Sequence, residues 1–142
     1  QHDRFVEIVG REPDYFEAHA VMSKNLNRAI SAVAQELGLK EQKASFDPTA
    51  VVHCGDTDLR MVMRSMEPGY EPKEAIMQTV REMADDETVV FVCHPGYLDR
   101  FILENSSLTT DRAKEVDALI DPELRAWLEA QDDLRLIDYR DL

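Results

Sequence analysis

The sequence predicts an α/β fold with a largely parallel sheet and flanking helices, and three observations predict it. Short β-like runs alternate with amphipathic stretches of helical period, in the order β-α-β-(α)-β-α-α-β. The clearest run, 88–93 (TVVFVC), is apolar on both faces, as a parallel strand covered on both sides requires. Three of the four histidines, His19, His53 and His94, fall at or near the C-terminal ends of predicted strands. Ligands and catalytic groups gather at that edge in α/β folds, because the strand fixes position and the following loop gives access.

Each element has its own signal. The run 14–18 (DYFEA) is a short strand ending at His19. Ser23 is an N-cap for a helix carrying Leu26, Ile30, Val33, Ala34 and Leu37 on one face, and Gly38 stops it. The run 50–54 (AVVHC) is a second strand, whereas the apolar residues of 56–66 fit neither period. SMEPGYEP is a loop, and Pro72 opens a helix whose buried stripe is Ile76, Met77, Val80, Met83 and Ala84. After 88–93, a polar loop with Asn105, Ser106 and Ser107 leads to a helix over 111–119. Asp121-Pro122 restarts a helix containing Leu124, Trp127 and Leu128, and 134–137 (LRLI) is a last strand.

A chain of 142 residues suffices for one domain with a core, and no repeat or linker divides it, so 1–142 is taken as a single domain. No apolar run reaches the roughly 20 residues that cross a bilayer. With 16 basic and 29 acidic residues the net charge is -13. That surface repels phosphates and anionic lipid, so neither nucleic acid nor membrane is expected as a partner, and a cytoplasmic location fits. Cys54 and Cys93 lack metal-ligand spacing and read as free thiols in a reducing compartment, with a disulfide between them the alternative.

His94 carries the strongest local argument for chemistry. Pro95 ends sheet pairing, Gly96 permits positive φ or close approach of a substrate, and Tyr97 offers a hydrogen-bonding or sugar-stacking surface. An imidazole there serves as general acid or metal ligand, or else the strand simply ends in a Pro-Gly turn. His19 is a metal-ligand type with no partner ligand nearby in sequence, and His53 reads as structural. Arg112 and Glu115 stand one helical turn apart, either as a solvated pair or with Arg112 reaching toward His94.

These residues carry a family resemblance. VVFVCHPGYLD (89–99), the NSS loop, Arg112 with Glu115, and the terminal LRLIDYRDL resemble the YdjC-like carbohydrate deacetylases. Upstream, GREPDYFEAHAVMSKNL (10–26) is similar to that family's G-x-x-P-x-x-x-D-S-H-x-H-x-H segment, with Glu17-Ala18 in place of Asp-Ser, and Val21 and Ser23 in place of the later histidines. The resemblance covers the C-terminal portion of a family domain; the family's Ala-Asp-Asp-Phe-Gly and Gly-x-His-Leu motifs do not occur in this chain. It implies an irregular β/α barrel, here incomplete, and hydrolysis of the N-acetyl amide of chitooligosaccharide-type amino sugars. It implies His94 and Arg112 in the catalytic site and His19 as a ligand of a divalent metal (Mg or Zn) that this chain alone does not hold, and the surface offered by Tyr97 is taken as substrate-binding. Two expectations follow: an inactive piece of a deacetylase, or a non-catalytic binding or assembly module. Open sheet edges and apolar helix faces predict a homodimer in either case.

Overall fold

The computed structural model describes residues 1–18, 23–43, 45 and 51–142. The chain divides into two compact units, 1–61 with 136–142, and 62–135.

The first unit begins with helix α1 (His2–Val9), which the sequence reading did not anticipate, and continues through strand β1 (Tyr15–Glu17) and helix α2 (Lys24–Leu37). Ser23 is the expected cap: its side chain accepts from the Leu26 N–H, and Gly38 ends the helix in the left-handed region at φ 65. Strand β2 (Lys40–Gln42) then lies parallel to β1, with Tyr15 opposite Lys40. Strands β3 (Val51–Cys54) and β4 (Thr57–Val62) form an antiparallel hairpin, with Val52 opposite Leu59. The predicted start of β3, Ala50, lies outside the described residues. A two-residue turn, Gly55-Asp56, joins the strands, and Gly55 takes φ 59, where a glycine is favoured.

Val52, Cys54 and Leu59 alternate with exposed neighbours and form this unit's core with Ala34 and Gln42. The stripe expected on α2 is only partly buried: Ala34 is inside, while Val33 and Leu37 are exposed. The expected last strand, 134–137, is irregular. Leu136 and Ile137 face solvent, and the tail is instead anchored by Tyr139, whose ring stacks on Tyr15 at 4.2 Å between centroids.

The second unit holds α3 (Pro72–Glu82), β5 (Thr88–Phe91), α4 (Arg100–Asn105), α5 (Thr110–Leu119) and α6 (Pro122–Glu129). Helices α3, α5 and α6 pack on one another. The fully buried face of α3 is Pro72, Ala75 and Thr79, a rotation from the expected Ile76-Met77-Val80 stripe, whose members are half-buried. Thr79 is accommodated because its hydroxyl donates to the Ala75 carbonyl at 2.8 Å. All four residues of β5 are half-buried rather than covered on both faces. The Val92 N–H donates to the carbonyl of Val62, the last residue of β4.

In the first unit the strands are hydrogen-bonded in the order β1-β2-β3-β4. The sheet is mixed rather than largely parallel: β1–β2 is parallel, while β2–β3 and β3–β4 are antiparallel. A parallel pair needs a long crossover, which α2 supplies once, whereas the Gly55-Asp56 turn folds β4 straight back beside β3. Among the described residues no helix is long and apolar enough to cross a membrane.

Candidate functional site

The second unit builds a site around the residue that follows β5. Beyond Val92 the chain stays irregular through Asp99, since Pro95 has no N–H to continue a ladder. His94 lies on that segment, half-buried, and four side chains from other segments surround it.

Two of these side chains come from α5. Glu115 is 1% exposed, and its Oε2 accepts the His94 backbone N–H at 2.6 Å. One turn earlier, the Arg112 Nη1 donates to the His94 carbonyl at 3.2 Å, while its Nε donates to the Leu108 carbonyl at 3.0 Å. The i,i+3 spacing therefore places an acceptor and a donor on the two backbone groups of one residue, and Glu115 is not on a solvated face. Gly96 returns its N–H to the Arg112 carbonyl at 3.3 Å. Its φ is not positive; a Cβ there would lie 3.7 Å from Arg112 Nη1, an ordinary contact.

The other two come from the segment between β4 and α3. The Tyr70 hydroxyl donates to Glu115 Oε1 at 3.1 Å, so each carboxylate oxygen has one protein donor. Burial, with the nearby Glu115 charge, pushes the Tyr70 hydroxyl well above its ordinary value and keeps it a donor. Ser65, 1% exposed, lies with its Oγ 3.3 Å from His94 Nδ1. Beside Ser65 an open groove is lined by Met66, Glu67, Pro68, Ser107, Leu108 and Asp111.

Cys93, next to His94, is a free half-buried thiol, and burial, reinforced by Glu115, pushes it up to about 11. Cys54 is also free. Tyr97 projects into solvent at 86% exposure. His53 is exposed on β3 and pairs with Asp58 across the hairpin at 2.6 Å. His19 lies outside the described residues.

His94 and Arg112 are thus brought together. Ser65, Tyr70 and Glu115 complete the arrangement and were not singled out as site residues from sequence. Among the described residues no three His, Cys, Asp or Glu side chains converge as metal ligands, so these residues do not fit a metal centre. A histidine fixed at its backbone on both sides and at one ring nitrogen keeps a proton-exchanging nitrogen in a set position, which suits general acid–base work.

The family described as YdjC-like protein matches residues 1–130. A protein named carbohydrate deacetylase 2, from Listeria innocua, is 28% identical over 145 residues, which take in 100% of this chain and 57% of that protein. One named chitooligosaccharide deacetylase, from Klebsiella pneumoniae, is 28% identical over 152 residues, 100% of this chain and 58% of that protein. A crystal structure described as a candidate cellobiose-phosphate cleavage protein from Enterococcus faecalis superposes with a TM-score of 0.69 at 20% identity, over 99% of this chain and 57% of the other. The chain spans a little over half the length of these relatives.

Proposed function

The chain belongs to the family of YdjC-like proteins, and on that premise we propose that it forms the His94-bearing part of a carbohydrate deacetylase, a hydrolase of the N-acetyl amide of amino sugars. The observation that carries the reading is the fixation of His94 at its N–H, its carbonyl and Nδ1 by Glu115, Arg112 and Ser65. Relatives named carbohydrate deacetylase and chitooligosaccharide deacetylase support the substrate class.

In amide hydrolysis water adds to the carbonyl, the C–N bond breaks, and the departing nitrogen takes a proton as acetate leaves. His94 supplies that proton in this reading, and general acid catalysis of this kind contributes about 10²–10⁴-fold. Arg112 holds the His94 carbonyl and so orients the segment, and the exposed Tyr97 ring stacks on a sugar face. The divalent metal (Mg or Zn) belongs to the whole family site, with His19 its ligand from this chain, and these 142 residues alone do not turn over. The reading also takes the protein as a cytoplasmic homodimer.

Acetate release from N,N′-diacetylchitobiose tests it. The polypeptide as encoded by its gene is expected to release acetate, with at least a hundredfold loss on His94→Ala, and the 142-residue chain is expected to release none. Turnover untouched by the substitution would overturn the role of His94, and robust turnover by the chain alone would overturn its inactivity. The second reading, a binding or assembly module, is favoured by Glu17, Ala18 and Ser23 at motif positions where the resembled family carries Asp, Ser and His. Calorimetric binding of chitooligosaccharide by the whole polypeptide without acetate release would establish it.

A further inference from the structure

We infer that Ser65 is the positioning residue that sets the ring tautomer of His94, holding Nδ1 as a hydrogen-bond acceptor and leaving the proton on Nε2. The inference deepens the deacetylase reading and rests on it only for its bearing on catalysis.

Ser65 is 1% exposed, and among the described residues His94 Nδ1, at 3.3 Å, is the one hydrogen-bond partner of its hydroxyl. A buried hydroxyl that finds no acceptor is costly, so the proton of Ser65 is directed to the acceptor in reach. Nδ1 accepts only when it carries no proton, and neutral imidazole then holds its proton at Nε2. The opposite tautomer would turn the Nδ1–H onto Ser65 Oγ and leave the hydroxyl proton without a partner inside the protein.

The ring cannot escape this choice by swinging away as a unit with its backbone. The His94 N–H is held by the buried Glu115 and its carbonyl by Arg112. Among the described residues Nε2 has no hydrogen-bond partner, so the protonated nitrogen is the one left for a ligand. Ser65 also lines the groove beside the site. A neutral His94 therefore meets an incoming group as an N–H donor at Nε2; to protonate a departing amine the ring must also carry a proton on Nδ1, and the Ser65 hydroxyl, which accepts as well as donates, then receives that N–H.

Two-bond proton–nitrogen correlation spectra of the ¹⁵N-labelled chain, above the histidine titration range and without substrate, report the tautomer directly. His94→Gln assigns the signals. The Nε2–H form is expected to dominate in the wild-type chain. In Ser65→Ala, the ratio of the Nε2–H to the Nδ1–H form is expected to fall by about fivefold, the effect of one ordinary hydrogen bond. Ser65→Thr, which keeps the hydroxyl, is expected to restore the ratio. A dominant Nδ1–H form in the wild-type chain, or a ratio unmoved by Ser65→Ala, would overturn the inference. Neither result depends on turnover, so it fails or stands separately from the deacetylase reading.

Discussion

Glu115 brings a carboxylate to a position 1% exposed, where its two oxygens receive the His94 N–H and the Tyr70 hydroxyl. The two donors differ in freedom. The phenol can rotate its proton, whereas the amide N–H points where the backbone points. In Glu115→Gln the side-chain NH₂ replaces one acceptor, so one donor faces another donor. That substitution is expected to cost about 1–3 kcal/mol, and Tyr70→Phe a similar amount, read from urea denaturation midpoints. The double variant is expected to cost less than the sum, with a coupling of about 0.5–3 kcal/mol. Strict additivity would mean that the Tyr70 hydroxyl and the Glu115 carboxylate do not interact. Cys93 supplies a second residue-scale test. Its thiol is raised from 9.0 to about 11, so near neutral pH its thiolate fraction is roughly a hundredfold lower than that of an unperturbed cysteine. Iodoacetamide should therefore modify native Cys93 more than tenfold slower than the unfolded chain, and equal rates would contradict the burial of the thiol.

Among the elements, α6 shows how a cap joins two helices. The Asp121 side chain accepts from the Glu123 N–H at 2.8 Å, and Lys73 on α3 lies 2.7 Å from its other oxygen. Lys73, and then the backbone N–H groups, hold the Asp121 carboxyl below its ordinary value. A depressed acid contributes stability above its unfolded value and loses it as pH falls through the folded one. Asp121→Ala is expected to lower Tm by a few degrees at pH 6, and the gap is expected to narrow as the pH drops below 3.8. A gap that widens in acid would show that the carboxylate is not the stabilising form. The same caps explain which elements the sequence displays. Ser23, Gly38, Pro72 and Asp121 are local chemistry, and the helices they bound stand within a residue or two of their expected ends. The hairpin was missed although Gly55-Asp56 is a hairpin signal, because the mixed pattern of 57–62 hid its strand period. The segment 134–137 has strand composition, but pairing is a tertiary fact, and Tyr139 on Tyr15 decides where the tail goes. In the site, His94 was legible through its strand-end position and Pro95. Ser65 and Tyr70 were hidden in a loop of turn residues, where nothing local distinguishes a buried hydroxyl from an exposed one. Glu115 was visible as a spacing to Arg112, but its burial depends on what packs against α5.

For the whole molecule the governing quantity is charge. With 29 acidic and 16 basic residues, each copy carries -13, and the approach of a second copy meets long-range repulsion. Against that stand large apolar side chains left in solvent, including Met66, Phe101, Leu103 and Ile120 in the second unit, at 71%, 68%, 57% and 73% exposure. The two effects respond differently to salt. The Debye length falls from about 30 Å at 0.01 M to about 10 Å at 0.1 M ionic strength, which removes most of the repulsion. Burial of apolar surface is not weakened over that range. If the protein forms the homodimer proposed above, its dimer dissociation constant should fall by tenfold or more between those two ionic strengths, as measured by sedimentation equilibrium. Phe101→Glu, on the exposed side of α4, adds charge where apolar surface was available and tests whether that helix lies in the contact. A monomeric mass at every concentration and ionic strength would overturn the homodimer, and a salt-independent dimer would show that net charge does not govern association.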